Sequence, residues 1–216
     1  MVELPSTTRW TRRKEARPNE ILEAALDLFV ERGYAGTKME EIAKRAGVTR
    51  GTPYLYFANK EELFKAVISE GMLPSIEVGE GMLREFTGSA MDLIEQTLNF
   101  WWAAVGKTRL AGITKLIVAE ACNFPDIARF YCEEVVRRGE ALVAGAIDYG
   151  IRRGEFRALD VEYTMKVVIG PVLMAMIWQH SVGACVNEAF DEERFLRTYM
   201  ELLRHGLLRN EQHPPI

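Results

Sequence analysis

The strongest constraint on the fold is the run TKMEEIAKRAGVTRGTPYLYFANKEELFKAV, residues 37–67. Its apolar residues recur at helical spacing, and Gly47 and the polar stretches cut it into short pieces. Thr37 and Glu40 have the spacing of a capping box, which opens a helix whose Ile42, Ala43 and Ala46 face inward until Gly47 ends it. Thr49 is placed to cap a second short helix, and Asn59 with Glu62 forms another capping box ahead of Leu63, Val67 and Ile68. Only a tight turn fits between Ala46 and Thr49, with Val48 as the plug of a small core. A longer helix over 18–32 precedes these elements, with Ile21, Ala25, Leu28 and Phe29 on one face, Pro18 in its first turn and Gly33 at its stop. Two short helices joined in this way and braced by a third make a helix-turn-helix unit.

The rest of the chain also reads as helix, because no segment alternates with the two-residue period of a strand. The glycines and proline over 71–88 predict a loosened junction. Helices are expected beyond it at 89–105, 108–120, 124–152, 160–182 and 191–209, with Asn123 and Asp160 as starts. The expected class is all-α, with a basic arm at 1–17, a DNA-binding domain at 18–70 and a helical ligand-binding and dimerisation bundle at 71–216.

Charge separates the same two parts. The net charge is -4, yet residues 1–60 hold 11 Lys or Arg against 8 Asp or Glu, while the remainder holds 16 against 23. A polyanionic partner is therefore expected at the N-terminal quarter. The longest apolar run, 167–178, is too short to span a bilayer and is interrupted by Gly170 and Pro171. No apolar segment follows the N-terminal cations as a secretory signal requires. The three cysteines, Cys122, Cys132 and Cys185, lack metal-ligand spacing; Cys122 and Cys132 read as buried structural thiols, with a thiol sensor as the alternative. No metal, cofactor or membrane partner is expected, and a cytoplasmic location follows. No HExxH, GxSxG or phosphate-loop motif is present, so no catalytic residue is assigned.

A reader of duplex DNA needs short side chains at the tip of a helix and donors on its flanks. Thr49, Arg50, Gly51 and Thr52 supply the tip. Arg50 has the fork that takes a guanine edge, and the alternative for it is a solvated surface arginine. Tyr54 and Tyr56 suit either a core role or a ring packed inward with the hydroxyl on a phosphate. Lys60, and Thr37 with Lys38, stand at helix N-termini where a phosphate would be welcome, although ordinary capping explains them too. Arg9, Arg12 and Arg13 belong to a cationic arm that lies along DNA or merely solubilises the chain. Pro53 leaves two geometries open. Either the helix begins at Thr49 and loses one backbone bond at Pro53, with Thr52 pushed from helical geometry, or it begins at Pro53 with Thr52 as its cap.

These residues resemble the signature of the TetR family of bacterial transcriptional regulators across 37–67, although the family pattern has a hydrophobic residue where Pro53 stands and often an aromatic or histidine at Leu55. The stretch 128–160, with its Gly-Glu-Phe turn, is similar to the ligand-binding domain of one broad branch. The resemblance implies a homodimeric repressor in which Thr37, Arg50, Thr52, Tyr54, Tyr56 and Lys60 contact double-stranded operator DNA. It also implies a dimer face on the last two long helices, and release from DNA by a small apolar or aromatic effector in the bundle. Trp101, Trp102, Phe130, Met174, Trp178 and His180 are the candidates for the effector pocket, each with ordinary core packing as its alternative. A helical small-molecule-binding dimer that has lost DNA binding is the rival reading, since Pro53 falls in the reading helix.

Overall fold

A computed structural model describes residues 8–186 and 189–209, with side chains from Arg17 onward. Among the described residues the chain is helical throughout, apart from an isolated bridge between Phe156 and Leu208. It divides into two compact units, Met1–Glu70 and Gly71–Ile216.

The first unit is built on α1 (Thr8–Gly36), α2 (Met39–Arg45), a single 3-10 turn (Pro53–Leu55) and the first part of α3 (Lys60–Glu85). Helix α1 begins ten residues before Pro18, so the proline lies inside it and not in its first turn. Gly33 takes a left-handed conformation (φ 78°), which only glycine adopts without cost, and bends the end of α1 away from its axis. Ile21, Ala25, Leu28 and Phe29 are buried, as are Ile42 and Ala43 from α2 and Leu63, Phe64, Val67 and Ile68 from α3. Three rings close this core. Phe64 meets Phe29 edge-on at 4.9 Å and Tyr34 at 5.3 Å, distances at which aromatic pairs add to the gain from burial. Outside the core, Arg45 grips both carboxylate oxygens of Glu31 at 3.0 and 2.9 Å, and Arg32 reaches Glu41 at 2.8 Å, so α1 and α2 are also linked at the surface.

The expected junction at 71–88 does not exist as a loose segment, because α3 continues to Glu85 through Gly71, Pro74, Gly79 and Gly81. Close packing accounts for two of these glycines. A Cβ on Gly71 would stand 2.5 Å from Leu110 Cδ2, and one on Gly79 would stand 3.0 Å from Leu142 Cδ1. Composition suggested a loosened junction, but these glycines make room for neighbours.

In the second unit, α4 (Ala90–Trp101) continues into a wide π turn over Trp102–Gly106 and is followed by α5 (Ala111–Glu120). The predicted helix at 124–152 is α6 (Pro125–Tyr131), a second π turn (Cys132–Val136) and α7 (Arg137–Arg152), contiguous in sequence. Then come α8 (Val161–Gln179), the short α9 (Val182–Val186) and α10 (Glu192–Leu207). Caps explain several starts: Ser89 accepts from the Asp92 amide, Asp160 from Tyr163 and Asp191 from Arg194. Asn123 is not a cap; Phe124 precedes the first turn and the Asn123 amide donates to Glu120. Helix α7 packs on α8 and α4, and α5 packs on α8.

Helix α8 is long and apolar enough to cross a membrane, alone among the described residues in this. Met165, Val168, Val172, Ala175 and Met176 are buried, while Tyr163, Val167, Met174 and Trp178 form an exposed stripe along its other side. The groove between that stripe and α10 is lined by Val167, Pro171, Leu202 and Leu203. Cys122 is exposed and Cys132 is half-buried, which corrects the expectation of two buried thiols, and Cys185 is exposed as well.

Replacing Phe64 with Ala removes the ring that both others touch. It should destabilise the protein by about 3–5 kcal/mol in urea unfolding, and a loss under about 1 kcal/mol would mean that the ring cluster does not hold the N-terminal unit together.

Candidate nucleic-acid interface and effector cavity

The turn after α2 is made by Gly47 in the left-handed region (φ 68°), and the chain then enters the segment 49–57. Thr52 stands immediately before the 3-10 turn and Pro53 is its first residue, where no backbone donor is needed. The start agrees with the second of the two sequence geometries, but Thr52 makes no side-chain cap and a single 3-10 turn stands in place of the expected helix. Thr52 keeps helical angles (φ -62°, ψ -43°), so the proline does not push it out of the helical region. Pro53 is buried, and its carbonyl accepts from the Tyr56 and Phe57 amides at 3.1 and 2.9 Å.

The residues predicted to touch DNA separate into two groups. Lys38, Thr49, Arg50 and Gly51 are exposed, as are Tyr54 (48%) and Tyr56 (38%). Leu55, which was not among the predicted site residues, is the most exposed large apolar residue of the described chain at 79%. Its place between two tyrosines at an apolar tip was the available signal. An apolar side chain there suits contact with a thymine methyl. Arg50 is held by Glu40 at 2.7 Å, a partner that sequence spacing did not suggest. The backbone amide of Glu40 itself, and then the Arg50 guanidinium, keep that carboxyl below its usual range.

Three predicted contacts are corrected, because their polar atoms serve the fold. Thr37 is buried, and its hydroxyl reaches the Gly33 carbonyl at 2.8 Å and the Leu28 carbonyl at 3.1 Å. It does not cap α2; that helix starts after Lys38, whose amide donates to Glu41. Thr52 is buried too, with its hydroxyl 2.8 Å from that of Thr49. Lys60 turns back from the first turn of α3 and donates to the Tyr34 carbonyl at 2.7 Å and the Thr37 carbonyl at 3.0 Å, with its ammonium 4.3 Å from the centre of the Tyr34 ring. Carbonyl dipoles and a π face thus offset the unfavourable helix dipole, which was the role assigned to phosphate. Asn59 does cap this helix, accepting from the Glu62 amide at 2.9 Å. The side chains of Arg9, Arg12 and Arg13 lie outside the described residues.

In the second unit, an apolar cavity of about 140 Å³ lies between α4, α7 and α8 and is walled by Leu98, Trp101, Leu142, Val143, Val172 and Leu173 among others. Of the six predicted pocket residues, Trp101 alone lines it. Trp102 is buried elsewhere, donating to Glu192 at 3.2 Å and packing on Phe190 and Phe195. Met174 and Trp178 are on the exposed stripe of α8. Phe130 and His180 are half-buried and do not line the cavity, and burial pushes the His180 imidazole below its usual pKa. Val135 and Val136 of the second π turn line the cavity, and Trp101, another lining residue, immediately precedes the first. Such turns are frequent at functional sites, and no local sequence pattern announces them. Among the described residues no cluster of His, Cys, Asp or Glu is placed to hold a metal.

The sequence pattern of the bacterial regulatory proteins of the tetR family matches residues 21–67, which spans α1, α2, the 3-10 turn and the start of α3. The chain is 30% identical over 162 residues to the fatty acid metabolism regulator protein of Bacillus subtilis, covering 74% of this chain and 82% of that one. The chain belongs to the TetR family of transcriptional regulators. This TetR-family chain is also 25% identical to the transcriptional repressor KstR2 of Rhodococcus jostii, over 90% and 92% of the two chains. The crystal structure of the regulator FadR from Bacillus subtilis in complex with stearoyl-CoA superposes with a TM-score of 0.67 at 25% identity, over 87% of this chain and 98% of that one.

Lys60→Met tests the corrected role of the lysine. It should lower stability by about 1–3 kcal/mol through the loss of its bonds to two carbonyls, and leave the salt dependence of DNA binding unchanged. A fall in the salt slope of about one unit without loss of stability would return Lys60 to the phosphate contacts.

Proposed function

We propose that this TetR-family regulator is a homodimeric repressor that reads a palindromic operator through the exposed tip around its 3-10 turn and releases it when an apolar effector enters the cavity of the second unit. The observation that carries the DNA-reading part is the group Arg50, Tyr54, Leu55 and Tyr56, exposed together at one turn whose own backbone is satisfied. Arg50 gives up Glu40 for a base edge or a phosphate, and Leu55 with the tyrosine rings offers apolar surface to the major groove. Thr49, Gly51 and Lys38 flank this tip as backbone contacts, and the arm carrying Arg9, Arg12 and Arg13 adds cations upstream. Pro53, at the first position of the turn, supports a working reader and counts against the reading in which DNA binding is lost.

Dimerisation is assigned to α8 and α10. The exposed stripe Tyr163, Val167, Met174 and Trp178 with Leu202 is the kind of continuous apolar surface that a second copy covers. It also supplies a reason for the apolarity of α8 that needs no bilayer. The effector reading rests on the cavity: apolar cavities of about 150 Å³ take up benzene-sized molecules, so 140 Å³ suits a small ring or one segment of an acyl chain. The relative with stearoyl-CoA bound makes an acyl chain the favoured occupant.

Binding of the promoter fragment, measured by fluorescence anisotropy against a random duplex, tests the proposal. Specific binding should be at least about a thousandfold tighter than random binding. Arg50→Ala should cost about 1–3 kcal/mol on the operator and little on the random duplex. Equal loss on both would assign Arg50 to phosphate, and equal affinity of the unaltered protein for both duplexes would remove the regulator reading.

A further inference from the structure

The cavity is apolar and has few polar side chains in its wall. Tyr131 lines it and is 94% buried by the complement of its 6% exposure, with its hydroxyl 3.0 Å from that of Thr114, which is also buried. Two hydroxyls that face each other use one hydrogen between them. When Thr114 donates, the Tyr131 hydrogen is left over, and no other protein acceptor for it exists among the described residues. Receiving one hydrogen bond makes the tyrosine a stronger donor of the next. The other polar side chains of the lining are Thr97 and Glu140, and no Lys or Arg is among them. Further along the same face of α8, seven residues beyond Val172, the Gln179 Nε2 is buried with no hydrogen-bond partner.

We infer that the effector carries an uncharged hydrogen-bond acceptor, the carbonyl of a ketone, ester or thioester, which is held by the Tyr131 hydroxyl as positioned by Thr114. This inference rests on the reading that the cavity receives the effector. A free carboxylate fits poorly. It would enter an apolar space with no cation to offset its desolvation and with the Glu140 carboxyl in the same wall. A hydrocarbon without an acceptor would offer the Tyr131 hydroxyl no partner beyond Thr114. Burial raises the Tyr131 pKa, so the hydroxyl keeps its proton and remains a donor at neutral pH. Tyr131 is thus a specificity residue and Thr114 a positioning residue.

The test uses the full-length protein and follows the fluorescence of Trp101, which lines the cavity, with Trp101→Phe as the control that identifies the signal. The probes are 2-heptanone, heptanoate at pH 7.4 and hexane. The ketone should bind about five- to tenfold more tightly than either of the others, the value of one buried hydrogen bond. Tyr131→Phe should remove that preference while hexane affinity stays within about twofold. Thr114→Val should reduce the preference without removing it. Heptanoate binding as tightly as the ketone, or a ketone preference that survives in Tyr131→Phe, would overturn the inference while leaving the cavity as the effector site. If none of the three probes changes the Trp101 signal, the effector reading itself falls, and the inference with it.

Discussion

The DNA-reading unit depends on where the Lys60 ammonium sits. It joins the Tyr34 and Thr37 carbonyls, at the bent end of α1, to the first turn of α3. Gly33 makes this possible, because its left-handed turn brings the two carbonyls round to one cation, and the Thr37 hydroxyl closes the same bend by reaching the Gly33 and Leu28 carbonyls. With both ends of the α2 segment fixed by this bend and by the Phe29, Tyr34 and Phe64 rings, the stretch from Gly47 to Asn59 has little freedom left. The tip around the 3-10 turn is therefore displayed by groups whose bonds are made within the unit. This is the usual division between a rigid support and an exposed reading surface.

The same logic explains why Pro53 is accommodated. In a longer helix it would remove a backbone bond; at the first position of a short turn it removes a donor that had no acceptor. Its fixed φ suits the turn, its ring is buried, and its carbonyl still takes two amides. The element is short, and its exposed face comes from three consecutive residues, Tyr54, Leu55 and Tyr56, instead of residues spaced along a helix face.

Much of this was legible in the sequence, and what was not legible failed for physical reasons. Helix positions in both units follow from apolar periodicity and from caps such as Asn59 and Asp160, since both signals are local. The capping box of α2 is read one residue early because Thr37–Glu40 and Lys38–Glu41 differ by one position, and only the bend at Gly33 decides between them. Lys60 and Thr52 look like phosphate contacts in one dimension, because the groups that occupy them, the Tyr34 and Thr37 carbonyls and the Thr49 hydroxyl, are revealed only by folding. The cavity is less legible still. Trp102 and Trp101 are neighbours in sequence, yet the first packs on Phe190 and Phe195 and the second lines the cavity, and the π turn that begins at Trp102 carries no local signature. Glycines at 71 and 79 suggested a loosened junction because their role, making room for Leu110 and Leu142, belongs to tertiary packing.

The central claim is that the exposed tip reads a defined operator as one of a symmetric pair. Footprinting of the chain's own promoter region with a nuclease tests it most directly. The account predicts two protected half-sites related by a two-fold axis, with centres a whole number of helical turns apart, and loss of both when Arg50 and Leu55 are replaced by Ala. Protection that is absent, or that spreads evenly along the fragment at the affinity of random DNA, would contradict it.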